Sequence, residues 1–210
     1  MSTADVITSI SVTISALAFV LGVNAWRREH IGKKRIELAE KILANFYEAK
    51  DAIRDIRNPF SFVGEGSTRQ RSETETEAES EILDKAYVVF ERYKKKDKFF
   101  AELRSMKYQA MAVFGSESKE PFDEINKILN EIFAAANILG SYYWQRQGQV
   151  HMEDEEFQKH LEKMQKYEAI FWYQGKDDDL TPRVNKTVTK IEDITRDEVA
   201  VRKKRFLGIF

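Results

Sequence analysis

The sequence predicts an all-α protein: a single N-terminal transmembrane helix that continues into a cytoplasmic bundle of four or five helices. Three observations carry this expectation. Val6 to Trp26, VITSISVTISALAFVLGVNAW, holds no charged residue in a chain that is 33% charged. Beyond it, apolar residues recur at alternating spacings of three and four, the period of one helix face, and no strand pattern of useful length appears. Only three Pro interrupt a composition rich in Lys, Glu, Ala, Ile and Phe.

The first element is residues 1–26. About 20 apolar residues in helix cross a hydrocarbon core of ~30 Å, and Val6 to Trp26 is long enough. Its hydroxyls, Thr8, Ser9, Ser11, Thr13 and Ser15, can bond back to carbonyls of the preceding turn. Ala16-Leu17-Ala18 offers a small-x-small cleavage site, but a secretory signal carries its positive charge before the apolar region. Here Asp5 precedes it, and Trp26, Arg27, Arg28, Lys33, Lys34 and Arg35 form an interfacial and basic border after it. The positive-inside rule then predicts an inner (plasma) membrane protein, single-pass, with the N-terminus outside and the rest cytoplasmic. Thr8, Ser11, Ser15, Ala18 and Gly22 fall on one narrow stripe of small residues, beside a bulky stripe of Ile7, Ile10, Ile14, Leu17 and Leu21. Small stripes let helix backbones approach closely in lipid. The stripe therefore suggests association with itself or with another membrane protein, or else ordinary anchor composition.

Residues 27–57 extend the same helix. Ala39, Ile42, Phe46, Ala49, Ile53 and Ile56 form one seam, no Pro separates it from the span, and Asn58-Pro59 ends it. Residues 58–80 lose the period and gather Gly, Ser, Thr and Glu, which reads as a mobile acidic loop grading into a helix start. Gly64-Glu65-Gly66-Ser67-Thr68 fails as a phosphate loop because no Lys precedes the Ser/Thr. Glu73, Glu75, Glu77 and Glu79 read as a solvated charge run beside a helix N-terminus.

Residues 81–201 are the bundle. Ile82, Ala86, Val89 and Tyr93 give one seam, and Phe99, Leu103, Met106 and Ala110 the next, closed by Gly115. Pro121 opens a helix carrying Ile125, Leu129, Ile132, Ala136, Leu139 and Tyr143. Phe157, Leu161, Met164 and Phe171 mark a further one. Thr181-Pro182 caps a last helix with Val184, Val188 and Ile191, after an exposed Asp177-Asp178-Asp179 connection.

Chemistry-bearing patterns are few. Absence of Cys excludes disulfides and thiolate catalysis, and the three His form no Glu-x-x-His pair, so neither a metal nor another cofactor is expected. No Gly-x-Ser-x-Gly, His-Glu-x-x-His or dinucleotide fingerprint supports an enzyme. A net charge of −1 argues against nucleic acid as a partner. Tyr142, Tyr143, Trp144, Phe171, Trp172 and Tyr173 form two aromatic clusters at the ends of two helices, a partner patch or the filling of a wide bundle end. Residues 202–210 set four basic residues, Arg202, Lys203, Lys204 and Arg205, before Phe206, Leu207, Ile209 and Phe210, a combination suited to an anionic membrane surface or a partner.

The arrangement resembles that of small bacterial proteins with one N-terminal span and a cytoplasmic helical domain. The function it suggests is an anchored scaffold or sensor acting by protein–protein contact, with membrane lipid and a cytoplasmic protein as partners. The alternative is a membrane-perturbing effector of a toxin or phage-defence system.

Overall fold

The computed structural model describes residues 3–175 and 178–206. Those residues are predominantly helical and contain no strand. The elements are α1 (Thr3–Ile56), α2 (Glu77–Lys94), α3 (Asp97–Phe114), α4 (Lys119–Ile138), a π-helical turn (Leu139–Tyr143), the one-turn α5 (Trp144–Arg146), α6 (Asp154–Phe171) and α7 (Leu180–Phe206). A 3₁₀ turn, Ser116–Ser118, leads into α4. The chain divides into two compact units: Met1–Lys41 with Thr195–Phe210, and Ile42–Ile194.

The unit Ile42–Ile194 holds a continuous apolar core. The seam residues Ile42, Phe46, Ala49, Ile53 and Ile56 of α1 are buried in it, as are Ile125, Leu129, Ile132 and Ala136 on α4; Ala39, in the other unit, is buried too. Phe46 meets Phe122 edge-on at 4.9 Å, and Phe90 of α2 stacks on Phe133 of α4 at 5.1 Å. Charged side chains fix the helices around this core. Arg183 of α7 reaches Glu124 and Glu131, each at 2.6 Å, two turns apart on α4. Tyr47 donates to Glu192 at 2.6 Å, and Lys107 meets Asp123 at 3.0 Å.

The first half of α6 differs from the sequence expectation, while Met164 and Phe171 are buried as expected. Phe157 is exposed and Leu161 half-buried, whereas His160, Met164 and Phe171 are buried. The buried positions 160, 164 and 171, with the half-buried Tyr167, keep the three-four period with a His in the first place. A purely apolar count passes over that residue.

The π-helical turn widens the helix between α4 and α5. Leu139, Gly140, Tyr143 and Trp144 are all buried here, although they occupy two neighbouring faces. Both faces are covered. Gly140 lies so close to α2 that a Cβ on it would stand 2.6 Å from that of Ala86, and Tyr143 lies against His160 and Tyr167 of α6.

The loop between α1 and α2 is laced by ions. Arg92 donates to the carbonyls of Asn58 and Phe60 and to Glu65, and Glu91 accepts from the Gly66 amide and Thr68. Arg69 binds Glu75 and Asp84, and Thr76 with Glu79 forms a capping box at the start of α2. Glu75 is thus an ion-paired residue rather than part of a solvated run. The Arg69 guanidinium, followed by the Ser72 amide, holds its carboxyl at about 2.

Candidate membrane anchor and buried polar sites

The N-terminal part of α1 presents its apolar side chains to the outside on every face. Ile10, Val12, Ile14, Leu17, Phe19, Val20, Leu21, Val23 and Trp26 are 44 to 73% exposed. One helix of the described residues is long and apolar enough to cross a membrane, and none of its apolar window is buried. Nine large apolar groups on a single helix exceed the scattered exposure ordinary for a soluble surface. In a bilayer each Leu, Ile, Phe or Val near the centre instead contributes about −0.3 to −0.6 kcal/mol to insertion. The backbone is already satisfied along the helix, and Ser15 Oγ donates to the Ser11 carbonyl at 2.8 Å, the back-bond that lets a hydroxyl sit in lipid.

The small stripe lies open. Thr8, Ser11, Ser15, Ala18 and Gly22 are exposed, and among the described residues no atom outside the local stretch of helix lies within 4 Å of where a Cβ on Gly22 would sit. At the border, Trp26 stacks on His30 at 5.6 Å, and Arg27, Arg28, Lys33 and Lys34 are exposed. Arg35 meets Glu198 at 2.6 Å, so the end of α7 lies alongside the basic stretch that follows the apolar segment. The backbone of α7 runs to Phe206. The side chains of Arg202, Lys203, Lys204, Arg205 and Phe206 lie outside the described residues, as do Leu207 and Phe210 altogether.

The two aromatic clusters meet in the core more than on the surface. Trp144 packs edge-on against Phe171 at 5.3 Å and donates through Nε1 to Glu168 at 2.8 Å. Tyr143, Trp144 and Phe171 are buried and cannot serve as a docking face, Trp172 and Tyr173 are half-buried, and Tyr142 is exposed. Lys85 lies over the Trp144 ring at 4.4 Å.

Asp178 corrects the expectation of an exposed acidic connection. Its side chain is fully buried against Arg57, which is 1% exposed. Arg57 donates to both Asp178 oxygens, at 2.7 and 2.8 Å, and to the carbonyls of Ala169, Ile170 and Trp172. The Tyr173 amide donates back to the Arg57 carbonyl at 2.7 Å. Asp178 also accepts from the Leu180 amide and Thr181, so it caps α7 while Thr181 lies inside the helix. One guanidinium therefore joins the end of α1, the C-terminal carbonyls of α6 and the start of α7. The sequence carries a signal for it: Arg57 falls four residues after Ile53, on the buried seam, where a cation requires a partner.

Comparison with protein-family models, with curated proteins and with solved structures finds no match, so function is argued from the chain's own residues.

Proposed function

We propose that this protein is a single-pass, membrane-anchored helical interaction module, with its N-terminus outside the inner membrane and residues from Arg27 onward in the cytoplasm. The observation that carries the reading is the apolar stretch to Trp26, exposed throughout, followed at once by five basic residues in nine positions. A bilayer satisfies the first, and the cytoplasmic bias of Lys and Arg orients it. The unit Ile42–Ile194 supplies a rigid helical body to hold or sense a protein partner. Its charge pairs, such as Arg183 with Glu124 and Glu131, stiffen that body rather than form a reactive centre.

A reporter enzyme active only outside the cytoplasm, fused after Phe210, tests the orientation. It should stay inactive, while the same reporter fused before residue 1 should be active. The open small stripe also favours assembly of the spans, which a membrane-perturbing effector would use. Entry of a membrane-impermeant dye on overexpression would favour that effector. An intact barrier, together with crosslinking of the cytoplasmic body to a protein partner, favours the module.

A further inference from the structure

The loop after α1 holds its largest apolar side chains out in water. Phe60 and Phe62 are 83% and 85% exposed, and Val63 is fully exposed. A loop free to move would fold such rings onto the nearest apolar surface, but this one is tied down. Arg92 donates to the Phe60 carbonyl at 2.7 Å, the Phe62 amide donates to Glu65 at 3.3 Å, and the Glu65 amide donates back to the Phe62 carbonyl at 3.0 Å. The rings are held where another surface can cover them. A segment already ordered loses less entropy when that happens.

Phe60 and Phe62 line a groove of about 240 Å³, and Lys95 and Lys96, from the turn between α2 and α3, line it as well. That turn, Lys94-Lys95-Lys96-Asp97-Lys98, sets four ammonium groups beside one carboxylate. Glu65 on the lining is engaged by Arg92 at 2.7 Å, and Asp55 is the other carboxylate there. The groove thus joins aromatic rings to a basic wall. Its occupant should present bulky apolar side chains beside carboxylates.

This chain carries such a surface itself. Around the start of α6, Val150 and Phe157 are 46% and 39% exposed and flank the exposed carboxylates of Glu153, Asp154 and Glu155. The pairs these acids make, Glu155 with Lys159 and Glu153 with His151, lie in water and compete weakly. One copy cannot bring the two surfaces together. Arg57, next to the loop, binds carbonyls at the C-terminal end of α6, whereas the acidic residues stand at its start, and the 18 residues of α6 span ~27 Å. A second copy can. We propose that the Phe60–Phe62 groove of one copy takes the Val150–Phe157 stretch of the next, apolar side chains meeting while Lys94 to Lys98 face Glu153 to Glu155. Groove against groove would set two basic turns together, which costs energy. The contact is therefore head-to-tail, and it closes into rings or runs on as open chains. Both surfaces belong to the unit Ile42–Ile194, so the contact is independent of any association of the N-terminal spans.

The absence of Cys makes a specific test available. Two full-length variants, Ser61→Cys and Gln149→Cys, are purified in mild detergent, mixed and treated with a short bismaleimide. The mixed pair should crosslink. Neither variant alone should do so, nor should Ser61→Cys mixed with Gln109→Cys, which places the thiol at an exposed position on α3. Changing Lys94, Lys95, Lys96 and Lys98 to Glu in the Ser61→Cys copy should cut the yield about tenfold or more, as should Phe60→Ser with Phe62→Ser. Changing Glu153, Asp154 and Glu155 to Lys in the Gln149→Cys copy should restore crosslinking to the Lys-to-Glu groove and lose it with the parent groove. A misfolded variant cannot produce that exchange. A mixed-pair yield no higher than the Gln109→Cys control would overturn the proposal and leave the groove to a different acidic protein. A yield that ignores both groove variants, or a charge exchange without rescue, would overturn it too.

Discussion

Arg57 is removed from water, and what makes that tolerable is the number of acceptors around it: two carboxylate oxygens and three carbonyls. Breaking such a pair from one side leaves an uncompensated buried charge, which costs about 3–5 kcal/mol. Asp178→Ala should lower unfolding stability by that amount, measured by denaturant titration of the chain in detergent. The double change Arg57→Met with Asp178→Leu should cost less than Asp178→Ala alone. Burial pushes the Asp178 carboxyl up, but hydrogen bonds from Arg57 and Thr181, the Arg57 charge and the Leu180 amide outweigh it and hold it below its usual value. A depressed carboxyl contributes stability that is fully present above its unfolded value, about 4, and is lost as the pH falls through the folded value. Acid titration should therefore erode stability below about pH 4 in the parent and less so in the double variant. Gly66 is fixed for a different reason. Its φ is +93°, and a Cβ there would lie 2.0 Å from the Asp84 carbonyl oxygen. Gly66→Ala should destabilise the loop and raise protease cleavage within residues 58–76.

The elements show how far periodicity carries. The seams on α1 and α4 were legible because every third or fourth residue is apolar and because covering helices bury them evenly. On α6 the expectation holds at Met164 and Phe171 and fails in the first half, where His160 rather than Phe157 or Leu161 is buried, because polarity hides a core position from an apolar count. The Arg69, Glu75 and Asp84 cluster was illegible too, since ion pairs between a loop and a helix follow no period. Thr76-x-x-Glu79, by contrast, is a local signature, and Thr76→Ala should cost about 0.5–2 kcal/mol, read as a lowered denaturation midpoint. On α1, Gly22→Leu and Ser15→Leu should weaken crosslinking between copies while leaving insertion intact. Among the described residues, nothing outside its own stretch of helix lies within 4 Å of a Cβ placed on Gly22, so loss of crosslinking there reports on a second helix rather than on folding. Unchanged crosslinking would leave the stripe as ordinary anchor composition.

At the scale of the whole molecule, the contact of Arg35 with Glu198 sets the end of α7 beside the basic stretch after Trp26. The sequence expectation for Arg202 to Arg205 is a second, weaker hold on an anionic membrane, each basic residue worth about 1 kcal/mol near the surface. Replacing those four residues by Gln should reduce binding of a chain beginning at Arg35 to anionic vesicles at low salt, and binding should fade as salt screens it over ~10 Å at 0.1 M. Equal binding to neutral vesicles would assign the tail to a protein partner instead. The central proposal is simpler: that the exposed apolar half of α1, the one candidate membrane helix among the described residues, lies in a bilayer. Alkaline carbonate extraction of membranes from cells expressing the full chain tests it most directly. The full chain should stay in the membrane pellet, while a chain beginning at Arg35 is released. Release of the full chain into the supernatant would contradict the account.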